Sequence, residues 1–143
     1  MSDNLVLVFE PNAPPLAALV PALAEFDRLD LQEGTAWGDQ IVVYDGDRHV
    51  FLQPYPPEEM EADHCFDDWP AGLVPPRSSG LVVAYSDIGL AKRVAVALAR
   101  RFRFWVDPNM GTGEVYASEE FVRRTAREPG WDWRDVPVTS RTG

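Results

Sequence analysis

Apolar residues fall in short continuous runs, separated by prolines, glycines and charged positions. The first run is Leu5-Val6-Leu7-Val8-Phe9, closed by Pro11 and Asn12. An unbroken apolar stretch of this length reads as a buried central strand. Pro14-Pro15 then opens LAALVPALAEF, which predicts a helix from about 14 to 26. Prolines suit a first turn, where the missing N–H costs nothing, and Pro21 inside the helix predicts a kink. Ile41-Val42-Val43-Tyr44 and the run ending at Leu52 flank Asp45-Gly46. Such a pair between strand-like runs predicts a hairpin turning at Asp45-Gly46.

Residues 54–79 break the pattern. Pro54, Pro56, Pro57, Pro70, Pro75 and Pro76 lie here, and Ser78-Ser79-Gly80 closes the stretch. Glu58–Trp69 reads as one short helix and the rest as a long connection. Leu81-Val82-Val83-Ala84-Tyr85 is a second buried strand, and Ser86 or Asp87 can cap the helix after it. In that helix, about 88 to 102, Ala91, Val94, Ala95, Leu98 and Phe102 share one face. Lys92, Arg93, Arg100 and Arg101 fall on the other. Phe104-Trp105-Val106 and Val115-Tyr116 predict a second hairpin around PNMGTG. Ser118 is expected to cap a last helix, with Glu119 and Glu120 in its first turn and Arg123, Arg124 and Arg127 near its end. That charge order suits the helix dipole, and Pro129-Gly130 stops the helix. Trp131 and Trp133 are expected to dock onto the domain.

The order strand, helix, hairpin thus occurs twice, once from LVLVF and once from LVVAY. The expected fold is α/β, of α+β type. It is a single domain over 1–143 with one mixed or antiparallel sheet, built from two β-α-β-β units with helices packed on one face. A Pro-rich acidic segment at about 54–79 connects the units.

Charge narrows the function classes. The formal net charge is -10, and it is unevenly spread. Residues 1–70 carry 15 acids against Arg28 and Arg48, and residues 71–143 carry 8 acids against 11 bases. An acidic half repels free nucleic acid, whose affinity for proteins comes largely from neutralised phosphates. It is equally disfavoured at an anionic membrane. A basic protein partner is favoured, because complementary charge speeds and orients encounter; acidity also serves solubility alone. Cys65 is the single cysteine and no apolar run approaches the ~20 residues of a membrane span. The expected compartment is the cytoplasm.

The densest polar cluster is EEMEADHCFDDW, residues 58–69. Glu58, Glu59, Glu61, Asp63, Asp67 and Asp68 crowd around Met60, Phe66 and Trp69. Apolar anchors inside a polar rim are how interfaces gain energy, so these carboxylates with Phe66 and Trp69 are the candidate partner-binding residues. Glu61 and His64 lie three apart, which on a helix puts both on one face, as in Glu-x-x-His metal motifs. The motif occurs once, and His49 is the only other histidine, so no metal and no cofactor is expected. Adjacent His64 and Cys65 do not form a catalytic dyad. Ser86-Asp87 between strand and helix lacks the glycines of a nucleophile elbow. The chain contains no phosphate-binding loop, no GxGxxG and no HExxH.

The runs VVAYSDIGLAKRVAVALARRFRFWVD and GEVYASEEFV, spanning roughly 80–122, resemble small immunity proteins found beside bacterial polymorphic toxins. The resemblance implies a cytoplasmic protein that covers or plugs its cognate toxin. It carries no family functional residues onto this chain. The expected function is therefore a non-catalytic inhibitor that meets a basic toxin domain through its acidic surface. The alternative is a small ligand-binding or regulatory α/β domain, with a pocket lined by Trp37, Trp105 or Tyr116.

Overall fold

A computed structural model of the chain describes residues 3–36, 38–109 and 112–135. The first apolar run becomes β1 (Asp3–Phe9), which is flanked on both sides by strands. Its unbroken hydrophobicity follows from covering on both faces. Leu5, Leu7 and Phe9 point into one core, and Val6 and Val8 point into another.

The remaining strands are β2 (Arg28–Gln32), β3 (Gln40–Asp45), β4 (Arg48–Tyr55), β5 (Ser79–Tyr85), β6 (Trp105–Asp107) and β7 (Tyr116–Ala117). They form a seven-stranded sheet in the order β2-β3-β4-β5-β1-β6-β7. Every pairing is antiparallel. The class is α+β with an antiparallel sheet.

The first hairpin joins β3 and β4, with Asp45 opposite Arg48. Its two turn residues are therefore Gly46 and Asp47, one position later than Asp45-Gly46. Gly46 alone takes a positive φ, 66°, the demand of a turn that has glycine first. The second hairpin pairs Trp105 with Ala117 and Val106 with Tyr116, around the expected loop.

Helices cover the faces unequally. α1 (Leu16–Leu19) passes at Pro21 into a 3-10 turn over Val20–Leu23. The prolyl ring ends the regular helix there, so no single helix runs to residue 26. α3 (Ile88–Ala99) starts on Asp87, whose Oδ1 accepts the Leu90 amide at 2.8 Å. Ala91, Val94, Ala95 and Leu98 are buried, whereas Phe102, beyond the helix, is half-buried. Lys92 is half-buried too, because its ammonium donates to the carbonyls of Pro129 and Trp131. α4 (Ser118–Arg127) begins with Ser118 inside the helix and Ala117 at the cap. Ser118 instead locks the helix start to the sheet: its amide donates to the Phe104 carbonyl at 2.8 Å. Trp133 is buried against Phe121, and its Nε1 donates to the Tyr85 hydroxyl at 2.7 Å. α1, α3, α4 and Trp133 all pack into the core that holds Leu5, Leu7 and Phe9.

The opposite face receives α2 (Pro57–Ala62), the turns after it and Val115 of the connection between β6 and β7, among the described residues. Met60, Cys65 and Trp69 cover Val6, Val8 and Tyr55. α2 ends in a Schellman motif: the Cys65 amide donates to the Met60 carbonyl and the His64 amide to the Glu61 carbonyl, each at 3.1 Å. His64 occupies the left-handed position of that motif, at φ 53°.

Candidate functional site: an open sheet face with an acidic rim

Alternation along β4 places Val50 and Leu52 in the main core and His49, Phe51, Gln53 and Tyr55 on the opposite face. Tyr55 lies under α2 and is buried, but Phe51 and Gln53 are half-buried and His49 is exposed. The neighbours are similar except at Val42, which lies on this face opposite Asp30 and Phe51 and is buried. Tyr44 and Gln40 on β3, Ala84 on β5 and Gln32 on β2 are half-buried, and Asn4, Arg28 and Asp30 are exposed. Half of this sheet face therefore has no covering layer among the described residues.

The open half carries ordered side chains of two kinds. One is an aromatic row. Arg28 stacks over Tyr44 at 4.1 Å, Tyr44 meets His49 at 6.2 Å, and His49 meets Phe51 edge-on at 5.1 Å. The other is an amide ladder across three strands. Gln53 Nε2 donates to Gln40 Oε1 at 3.2 Å, and Gln40 Nε2 to Gln32 Oε1 at 2.7 Å. Gln32 Nε2 then donates to Asp30 Oδ2 at 2.8 Å. These bonds hold flat a surface that would otherwise lose side-chain entropy on binding.

The α2 segment forms one wall of this face. A depression of about 210 Å³ separates them, lined by Asn4, Gln53, Val82 and Tyr55 from the sheet and by Glu59 and Asp63 from the segment. Asp63 Oδ2 accepts the Tyr55 hydroxyl at 2.6 Å. Burial, then the bond to Asp63, holds the Tyr55 phenol above its ordinary range. Asp63 is thus fixed in place while remaining exposed.

The candidate residues divide among three surroundings. Glu58, Glu59, Glu61, Asp63, Asp67 and Asp68 are all exposed, as an acidic surface requires. Glu59 and Asp63 face the open sheet, whereas Glu61 and Asp67 border a separate groove of about 490 Å³ with Met60, Phe66 and Arg77. Phe66 is half-buried against Trp69 at 4.8 Å. Trp69 is not available to a partner: it is 6 % exposed and its Nε1 donates to Asp107 Oδ2 at 2.9 Å. Its ring completes the small core beneath α2, so its place among exposed carboxylates marks where the chain turns inward.

Ion pairing compensates the rest of the acidic half only at Asp3, Glu25 and Asp45; among the described residues Glu10, Asp27, Asp30, Glu33, Asp39 and Asp47 make no salt bridge either. Arginines meet carboxylates across the molecule in Arg93–Asp45, Arg100–Glu25 at 2.8 Å, Arg48–Asp87 at 3.3 Å and Arg134–Asp3 at 3.0 Å. Among the described residues, the only salt-bridge contact made by the six carboxylates of 58–68 is His64 Nδ1 to Asp67 Oδ2, at 3.6 Å. The negative field over α2 is therefore left largely uncompensated.

Chemistry at the cluster is muted. Burial, and after it the charges of Asp107, Asp63 and Asp67, push the Cys65 thiol up to about 11. It stays protonated and a poor nucleophile at neutral pH. Glu61 and His64 do not share a helical face, because α2 ends at Ala62. Among the described residues no three His, Cys, Asp or Glu side chains are placed as metal ligands. Trp105 and Tyr116 line separate surface pockets of about 350 and 250 Å³, and Trp37 lies outside the described residues.

No family model matches this chain. No curated protein and no solved structure matches it either. Among the described residues, no helix is long and apolar enough to cross a membrane.

The aromatic row and the amide ladder were missed in the sequence, although a signal existed. His49, Phe51, Gln53 and Tyr55 alternate with Val50, Leu52 and Pro54, which already assigns them to one face.

Proposed function

We propose that this chain is a non-catalytic protein-binding inhibitor. In this reading it is most like an immunity protein that neutralises a basic bacterial toxin domain in the cytoplasm. The observation that carries the reading is the open half-sheet, with Tyr44, His49 and Phe51, continuing into the uncompensated carboxylates Glu59 and Asp63. Aromatic side chains held in place provide contact area at low entropy cost, and the acidic rim steers a basic partner toward them. The first strand–helix–hairpin unit carries a further strand, β2, between α1 and the hairpin, and the open face lies over β2 and that hairpin.

The test uses the chain as bait in a lysate of its own cell, beside two variants. Phe51→Lys alters the face, and the combined Glu58→Lys, Glu59→Lys, Glu61→Lys and Asp63→Lys variant reverses the rim. A basic protein held by the wild type is expected to be lost by the Phe51 variant. It should associate more slowly with the rim variant, and raised salt should slow the wild type in the same way. Equal binding rates for all three proteins at low salt contradict the reading.

A further inference from the structure

The two edges of the sheet are built differently. β7 has only two residues, a short edge of the kind that blocks further pairing. β2 pairs with β3 over five consecutive residues, Arg28 to Gln32, with no bulge and no proline. No described strand pairs with its outer side. Its Leu29 and Leu31 are half-buried at the margin of the main core. Its other face, with Arg28, Asp30 and Gln32, continues the open half-sheet. Asp27 and Glu33 flank it, both exposed. Arg28 is held over Tyr44.

From this geometry we infer that the outer edge of β2 takes an additional strand from a basic protein partner. The partner strand carries apolar residues toward Leu29 and Leu31, and lysines or arginines toward Asp30 and the flanking acids. Backbone bonding supplies the attachment and the alternate side chains supply the choice of partner. A second copy of this chain is the disfavoured occupant. The two-fold antiparallel register that pairs the whole of β2 sets Asp30 against Asp30 and Asp27 against Glu33. Like charges directly opposite destabilise a strand pair. The inference rests on the protein-binding reading above and names the kind of segment bound.

The probe is the blocked peptide Lys-Thr-Val-Lys-Val-Thr-Lys, whose valines stand opposite Leu29 and Leu31 and whose lysines stand opposite Asp27, Asp30 and Glu33 in the full antiparallel register. Two controls accompany it: the same peptide with Pro-Pro in place of its Thr-Val, and Glu-Thr-Val-Glu-Val-Thr-Glu. Binding is followed by backbone amide shifts and amide exchange of the protein. The lysine peptide is expected to shift and protect Arg28–Gln32. The proline and glutamate controls should each bind about tenfold more weakly or worse, as should the lysine peptide to an Asp30→Lys, Glu33→Lys variant. The inference is overturned by absence of binding, by shifts centred elsewhere, or by equal binding of the proline control. Dimerisation of the protein through β2, seen by sedimentation, overturns it as well. Failure here while Phe51→Lys still abolishes partner capture removes only this inference. Peptide binding at β2 with partner capture indifferent to Phe51→Lys removes the reading of the open face instead.

Discussion

Trp69 and Asp107 decide how the acidic segment is tied down. The indole is buried under the segment, and its N–H is directed at a carboxylate that is itself 3 % exposed. Trp69→Ala removes a buried ring and leaves Asp107 without that donor, so the loss of folding stability should be about 3–5 kcal/mol in denaturant titration. A loss below about 0.5 kcal/mol would place the ring at the surface. Asp107 adds a pH dependence. Burial raises its carboxyl above the ordinary range, against the opposing bonds from Trp69 and the Asn109 amide. The folded state therefore holds this proton more tightly than the unfolded state does. Stability from this group is then greatest at low pH, and is lost as pH rises through the raised folded value. Asp107→Asn should remove that decline from a stability-versus-pH profile, while an unchanged profile would assign the decline to other groups. None of this was legible in the sequence. Trp69 among six carboxylates looks like an exposed anchor, because only the tertiary turn at residues 63–69 carries it inward.

Elements whose period reports burial were legible. α3 was, since Ala91, Val94, Ala95 and Leu98 repeat at helical spacing and all reach the core. So was the β3–β4 hairpin, although Asp-Gly alone did not say which two residues sit at the corner. β2 was overlooked because Arg28-Leu29-Asp30-Leu31-Gln32 is short and half charged, as an edge strand can be. The end of α2 makes its own prediction. His64 stands where a Schellman motif favours glycine, at φ 53°. Relief of about 1–2 kcal/mol of left-handed strain exceeds the entropy cost of glycine, about 0.5–1 kcal/mol. His64→Gly should therefore raise unfolding stability by about 1 kcal/mol, and His64→Ala should not. Equal stability of both variants would mean that the histidine side chain relieves the strain itself.

At the scale of the molecule, one sheet face is roofed except at the β2 margin, and the other is roofed only over parts of β1, β4, β5 and β6. Sequence alternation assigned residues to faces but could not tell which faces would be covered, since covering depends on where distant elements land. The acidic excess of the N-terminal half also divides only in three dimensions. Asp3, Glu25 and Asp45 are matched by arginines of the C-terminal half, and the carboxylates of residues 58–68 are not. The proposed protein-binding surface joins the uncovered half-sheet to its acidic wall. The most direct measurement is amide and side-chain shift mapping of the isotope-labelled chain, titrated with the basic protein it captures. Shifts are expected to concentrate at Tyr44, His49, Phe51, Gln53, Glu59 and Asp63. Shifts concentrated on the exposed arginines of α4 and the end of α3, with those residues unmoved, would contradict it.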